Sequence, residues 1–130
     1  MRRQILAFVS ALIVWVLVAS LLNRLLRVGL SGYADAEPAM AFTMAMKWAR
    51  LTLAGIASLS GGYVLARVAP DAKWLPVILG GLLLVGFVPV HYQLWNQFPV
   101  WYHLVFLLSI IPFFMLGARL GIPKQKVAVE

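Results

Sequence analysis

Long apolar runs dominate the chain and occupy residues 5–22, 51–66, 74–90 and 98–118. None of these runs contains Asp, Glu, Lys or Arg, and each is close to the roughly 20 residues that a helix needs to cross about 30 Å of hydrocarbon. The pattern therefore predicts an all-α membrane protein, an antiparallel bundle of four transmembrane helices at about residues 4–27, 39–68, 74–91 and 99–119. Residues 1–130 are expected to form this single domain, with residues 121–130 as a short polar cytoplasmic tail.

The second predicted helix begins near residue 39 and is longer than a membrane span needs. Asp35, Glu37 and Pro38 suit a first helical turn, because carboxylates complement its free amides and proline needs no hydrogen bond there. A helix over residues 39–68 would be about 45 Å long, which is more than the bilayer core requires. Residues 39–50 are therefore expected either to extend the helix beyond the membrane or to lie along its interface.

A short polar turn at residues 70–73 separates the second and third predicted helices. Connections of this length usually join antiparallel neighbours, so these two helices are expected to pack side by side. Asp71 is a candidate N-cap for the third helix, because its carboxylate can accept a hydrogen bond from a free amide.

The charge of the chain indicates how it is oriented in the membrane. Of 130 residues, 63% are hydrophobic and only 12% are charged, yet the net charge is +7. The basic residues lie at the ends of the apolar runs, where lipid phosphates are the nearest anions, so nucleic acid is not an expected partner. With both termini inside, seven basic residues lie at the cytoplasmic ends and four lie outside, and this bias favours cytoplasmic termini.

A stripe of small residues runs along the second predicted helix at every fourth position, formed by Ala54, Ser58, Gly62 and Ala66. Small side chains let helix backbones approach closely in lipid, so the stripe predicts a helix-packing surface. Gly80 and Gly81 in the third helix are candidates for the matching surface. The stripe can pack within the chain or against another subunit.

Two histidines flank the connection between the third and fourth predicted helices. His91 and His103 are expected to lie close together, with aromatic side chains around them. Two imidazoles at similar depth are what haem or another tetrapyrrole needs for axial ligation, so both are candidate cofactor-binding residues. Because only 12 residues separate them, they can also bond to each other or to the loop. No Asp, Glu or Cys lies nearby to complete a non-haem metal site.

Two pairs of cations lie near the connection between the first and second predicted helices. Arg24 and Arg27 share one helix face, and so do Lys47 and Arg50. Their charges can be balanced by ion pairs with Asp35 and Glu37 and by snorkelling towards water. Four cations against two carboxylates leave positive charge, so the same residues are candidates for contact with an anionic lipid or an acidic partner.

The remaining residues favour a protein that is not an enzyme. The chain has no cysteine, and its carboxylates all lie in predicted connections or in the tail, at Asp35, Glu37, Asp71 and Glu130. The serines within the apolar runs have no predicted basic partner, so a nucleophile with its base is not expected.

The leading hypothesis is therefore an accessory, assembly or stabilising subunit of a larger membrane complex. Its partner would be another membrane protein subunit or a second copy of the chain. The first alternative is a tetrapyrrole-binding membrane module that uses His91 and His103. The second is a membrane factor that binds anionic lipid.

The C-terminal half carries a more distinctive set of residues, namely Gly62-Tyr63, Arg67, Pro70, Trp74, Leu79-Gly80, residues 99–104, Pro112 and Leu116-Gly117. In this half the chain resembles uncharacterised small bacterial four-helix integral membrane proteins. The resemblance implies a multi-pass protein of the bacterial inner (cytoplasmic) membrane and carries no activity.

The basic start of the chain is typical of a signal peptide, but its 18-residue apolar run exceeds the usual core of about 7 to 15 residues, which favours an uncleaved anchor.

Overall fold

The computed structural model describes residues 1–123, so residues 124–130 of the predicted tail lie outside the described part. Regular structure in the described part consists of helices, which are α1 (Arg2–Gly29), α2 (Tyr33–Ala36), α3 (Met44–Val68), α4 (Leu75–Gln93) and α5 (Val100–Gly121). The four long helices are each long and apolar enough to cross a membrane. The predicted all-α bundle of four transmembrane helices is confirmed.

Helix α3 lies at the centre of the bundle. It packs extensively against α5 and against α1, whereas α4 packs mainly against α5. Helices α3 and α4 touch at few points although a short turn joins them. The expectation that these two helices pack side by side is wrong, because the small-residue surface of α3 is occupied by α5.

The contact between α3 and α5 depends on glycine. A Cβ atom added at Gly62 would overlap the carbonyl oxygen of Phe114, and one added at Gly117 would overlap the carbonyl oxygen of Leu59. Each helix therefore places a glycine directly against the backbone of the other helix. Such close approach increases dispersion contacts, which are a main source of helix association in lipid.

The whole small-residue stripe faces the interior of the bundle. Its members are all buried, at Ala54, Ser58, Gly62 and Ala66. Ser58 accepts a 3.2 Å hydrogen bond from the indole Nε1 of Trp15 on α1. The surface opposite Gly62 belongs to α5 and not to the two glycines of α4. Gly80 faces Ile111 of α5, and Gly81 has no atom within 4 Å of an added Cβ. The stripe thus packs within the chain.

The beginning of α3 differs from the sequence prediction. The helix starts at Met44, and the Thr43 hydroxyl caps it by accepting a 3.3 Å hydrogen bond from the amide of Met46. Residues 39–43 are not helical, and Met40 has a positive φ of 54°. Of the predicted extension over residues 39–50, residues 44–50 therefore belong to α3, whereas residues 39–43 do not. Asp35 belongs instead to the short helix α2, which the apolar pattern does not predict.

Helix α4 also begins differently from the prediction. Its N-cap is Trp74, no side-chain hydrogen bond caps the helix, and a proline, Pro76, lies in the first turn. Asp71 is therefore not the cap.

Two clusters of buried apolar side chains hold the helices together. One lies where α1, α3, α4 and α5 meet and includes Ala11, Leu65 and Phe114. The other joins α2, the start of α3 and the start of α5, and consists of Tyr33, Phe42, Met46, Leu51, Phe98 and Tyr102. The second cluster fixes the positions of two tyrosine hydroxyls beside Arg50.

We expect Gly117→Ala to destabilise the protein, because the added methyl group forces α5 away from the carbonyl of Leu59. Overpacking of this kind typically costs about 1 to 3 kcal/mol of unfolding free energy. Gly81→Ala is the matched control, since an added Cβ there meets open space. Thermal unfolding in mild detergent compares the two variants. Equal melting temperatures would show that α3 and α5 do not meet through their backbones.

Candidate functional site

Arg50 is the central residue of a polar cluster between the helices. Its guanidinium is half-buried and donates to two phenolic oxygens, from Nη1 to Tyr33 at 2.8 Å and from Nε to Tyr102 at 3.2 Å. The guanidinium carbon also lies 4.6 Å from the centroid of the Phe42 ring, a cation–π contact. Three elements, α2, α3 and α5, thus fix the position of this charge.

A continuous hydrogen-bond network links Arg50 to α1. The Tyr33 hydroxyl donates to Oδ1 of Asn23 at 2.8 Å, and Nδ2 of Asn23 donates to Oε2 of Glu37 at 3.1 Å. Arg27 pairs with the other carboxylate oxygen, from Nε at 2.7 Å and from Nη2 at 2.6 Å. The network therefore connects two cations through a tyrosine, an amide and a carboxylate.

The charges in this network do not cancel. Partial burial raises the pKa of Glu37. Hydrogen bonds from Arg27 and Asn23 and the charges of Arg27 and Arg50 lower it by more, so the net shift of the pKa is downwards. Glu37 is therefore an anion at neutral pH. Within residues 1–123 no carboxylate lies within ion-pair distance of Arg50. Two cations against one carboxylate leave one positive charge.

An open cavity of about 380 Å³ adjoins this network, and we name it the arginine cleft. Its lining residues are Trp15, Ala19, Ser20, Asn23, Glu37, Met40, Arg50, Leu53, Ala54, Phe87, Tyr102 and Phe106. The polar groups lie towards the end of the bundle. Trp15 precedes Asn23 by eight residues of α1, so it lies about 12 Å farther from that end. The cleft thus has a charged mouth and aromatic walls, and its volume is in the range of small-molecule sites, about 300 to 1,000 Å³.

The structure separates the four cations that the sequence groups together. Arg27 and Arg50 belong to the network, whereas Arg24 is exposed and Lys47 does not line the cleft. Arg24 and Lys47 form no hydrogen bond or ion pair with side chains of the described residues. The predicted ion pairing of the four cations with Glu37 is confirmed for Arg27, but sequence reasoning did not select the other members of the site, which are Asn23, Tyr33 and Tyr102. Asn23 was the one available signal, because an amide at the end of an apolar run needs a partner.

His91 and His103 form a separate buried pair, with exposed fractions of 6% and 0%. Their Nδ1 atoms lie 2.6 Å apart, so one ring donates to the other. The ring of Trp95 stacks on His103 at a centroid distance of 4.8 Å, and its carbonyl oxygen lies 3.4 Å from Nε2 of His103. Both nitrogens of His103 therefore have protein partners.

This geometry does not fit axial ligation of a tetrapyrrole. Two imidazoles on opposite faces of one metal place their nitrogens about 4 Å apart, twice the metal–nitrogen bond of about 2.0 Å. The facing nitrogens of His91 and His103 are at hydrogen-bond distance instead. The pair joins the last turn of α4 to the first turn of α5.

Comparisons of the chain with protein-family models, curated proteins and solved structures found no match. The resemblance to small bacterial four-helix membrane proteins therefore rests on the motif residues alone. The function of the chain is inferred from the chemistry of its own side chains and cavities.

We expect His91→Phe and His103→Phe each to destabilise the protein, because each leaves a buried Nδ1 of the other ring unpaired. The cost of such a group is about 1 to 3 kcal/mol. The double variant should lose less than the sum of the two single losses, with a coupling of about 0.5 to 3 kcal/mol. Thermal unfolding of all four proteins measures the coupling. Additive losses, or a tetrapyrrole absorption band that each single variant abolishes, would contradict the bonded pair.

Proposed function

We propose that this multi-pass membrane protein is not an enzyme and that it binds the anionic headgroup of a membrane amphiphile in the arginine cleft. The observation that carries the proposal is the fixed guanidinium of Arg50, which two tyrosines orient and which has no carboxylate of residues 1–123 within ion-pair distance. A charge that is half-buried among packed helices is costly, and ionisable residues inside membrane-protein bundles commonly mark a functional site.

The donors of Arg50 suit a phosphate or carboxylate group. A guanidinium has five N–H groups in a planar fork, and two of its nitrogens are used by Tyr33 and Tyr102. The remaining donors can form charge-assisted hydrogen bonds with an anion, which are about twice as strong as neutral ones. Ser20 and Asn23 line the same mouth and add polar contacts.

The walls of the cleft favour an amphiphile over a free ion. Trp15, Phe87 and Phe106 line its deeper part, where an acyl or other apolar chain would replace lipid tails. Glu37 also lines the mouth, but Arg27 and Asn23 hold its two oxygens and reduce its repulsion of an incoming anion. The net local charge remains positive.

The proposed setting is the bacterial inner membrane, with both termini in the cytoplasm and the arginine cleft on the outer side. The bias of basic residues supports this orientation, with seven at one set of helix ends and four at the other. The resemblance of the C-terminal half supports the bacterial assignment.

A role as an accessory, assembly or stabilising subunit is a second proposal. It was suggested by the small-residue stripe, but Gly62 packs against α5 within the chain, so the stripe is not free for another protein. The support that remains is the shape of the molecule: most of the surface of α1 is apolar and exposed, as in Leu17 and Leu21, and can contact lipid or another helix. Purification in mild detergent tests the role, which requires a stoichiometric second protein or a homo-oligomer. A lone monomer would exclude it.

We expect Arg50→Gln to weaken retention of phosphatidylglycerol by about tenfold or more, because a charge-assisted hydrogen bond contributes about 1.5 to 3 kcal/mol. Native mass spectrometry after purification in mixed micelles of phosphatidylglycerol and phosphatidylcholine measures the bound lipid. Arg24→Gln is the matched control, since it removes an exposed cation at the same end without touching the cleft.

Two outcomes would contradict the proposal. Equal loss of lipid in the Arg24 and Arg50 variants would indicate a diffuse electrostatic effect. Displacement of the lipid by inorganic phosphate alone would show that the aromatic walls contribute nothing and that the ligand is a free anion.

A further inference from the structure

A larger cavity lies at the opposite end of the bundle. Its volume is about 760 Å³, and its lining residues are Leu65, Ala66, Ala69, Pro70, Ala72, Lys73, Pro76, Pro112, Met115, Leu116, Ala118, Arg119 and Ile122. We name it the basic cavity. It lies at the end of the bundle that holds the N-terminus, because Arg3 on α1 donates from Nε to the carbonyl of Val68 at 2.7 Å.

The packing order of the helices explains why this space exists. Helices α3 and α4 are joined by a short turn but touch at few points, while α5 packs on both. The space between the end of α3, the start of α4 and the last turns of α5 therefore stays open. Its volume falls within the range of small-molecule sites, about 300 to 1,000 Å³.

The lining of the basic cavity is sharply divided by polarity. Lys73 and Arg119 are its two charged residues, and all the others have apolar side chains. Both cations are exposed, and within residues 1–123 no carboxylate lies within ion-pair distance of either. The nearest acidic residue in sequence is Asp71, which is exposed and does not line the cavity.

We propose that the basic cavity binds one anionic phospholipid, with an acyl chain against the apolar walls and the phosphate between Lys73 and Arg119. Arginine can bind phosphate through two parallel hydrogen bonds, and lysine adds a compact charge. Lys73 lies in the turn before α4 and Arg119 in the last turn of α5, and cations at the ends of membrane-spanning helices lie near the lipid headgroups. Charge complementarity and position thus favour a membrane phospholipid as the occupant.

This second site is independent of the arginine cleft. The two cavities share no lining residue and lie at opposite ends of the bundle. Failure of lipid binding at Arg50 therefore leaves this proposal intact, and the reverse also holds. With the termini in the cytoplasm, the basic cavity faces the inner leaflet, and the arginine cleft faces the outer one.

The test compares two double variants with the same change in net charge. Lys73→Gln/Arg119→Gln removes the cations that line the cavity, whereas Arg2→Gln/Arg67→Gln removes two exposed cations at the same end that do not. Tryptophan fluorescence and native mass spectrometry follow binding of phosphatidylglycerol or phosphatidylcholine to each protein in detergent, and thermal unfolding checks that both variants are folded.

We expect the cavity variant to hold one phosphatidylglycerol per chain fewer than the unmodified chain, with that lipid bound about tenfold or more weakly, and the control variant to keep it. Met115→Trp, which fills the cavity without changing charge, should also weaken binding. Equal binding of phosphatidylglycerol and phosphatidylcholine, equal losses in the two double variants, or unchanged binding in Met115→Trp would each overturn the proposal.

Discussion

The backbone contact between α3 and α5 is the constraint on which the rest of the structure depends. Gly62 and Gly117 allow each helix to touch a carbonyl oxygen of the other, and no larger residue fits at either position. Because lipid tails are as apolar as the side chains, the helices gain little from hydrophobic burial, and close packing must hold them together. This crossing fixes α3 between α1 and α5, and it leaves α4 attached mainly to α5.

Both proposed sites follow from that arrangement. Near the start of α3, the crossing brings Arg50 against Tyr102, and α2 adds Tyr33, so a cation is fixed inside the bundle without a carboxylate of its own among the described residues. At the other end, the crossing draws α3 towards α5 and away from α4, which leaves the basic cavity open. The same contact therefore produces a smaller cleft beside Arg50 at one end and a larger cavity beside Lys73 and Arg119 at the other.

The sequence predicts the spans well because the cost of exposing charge to lipid controls every position within them. The paired histidines were also predictable in outline, since a connection of fixed length brings His91 close to His103. The arrangement of the helices was not predictable, because the partner of a small-residue surface depends on shape and not on hydropathy. The ion pair of Arg27 with Glu37 was predictable from charge, but the two tyrosines of the network were missed. Tyr33 lies in the four-residue helix α2, which leaves no periodic signal, and Tyr102 is an ordinary aromatic residue until its hydroxyl contacts Arg50.

The central claim is that Arg50 is fixed by two tyrosines and presents its remaining donors to an anion. Nitrogen-15 NMR of arginine side chains in lipid nanodiscs measures this directly, because it reports the exchange and chemical shift of each Nε–H. For Arg50 we predict a slowly exchanging Nε–H, as expected from its bond to Tyr102, and a shift when phosphatidylglycerol replaces phosphatidylcholine. An Arg50 Nε–H that exchanges as fast as that of the exposed Arg24, with the same shift in both lipids, would contradict the account.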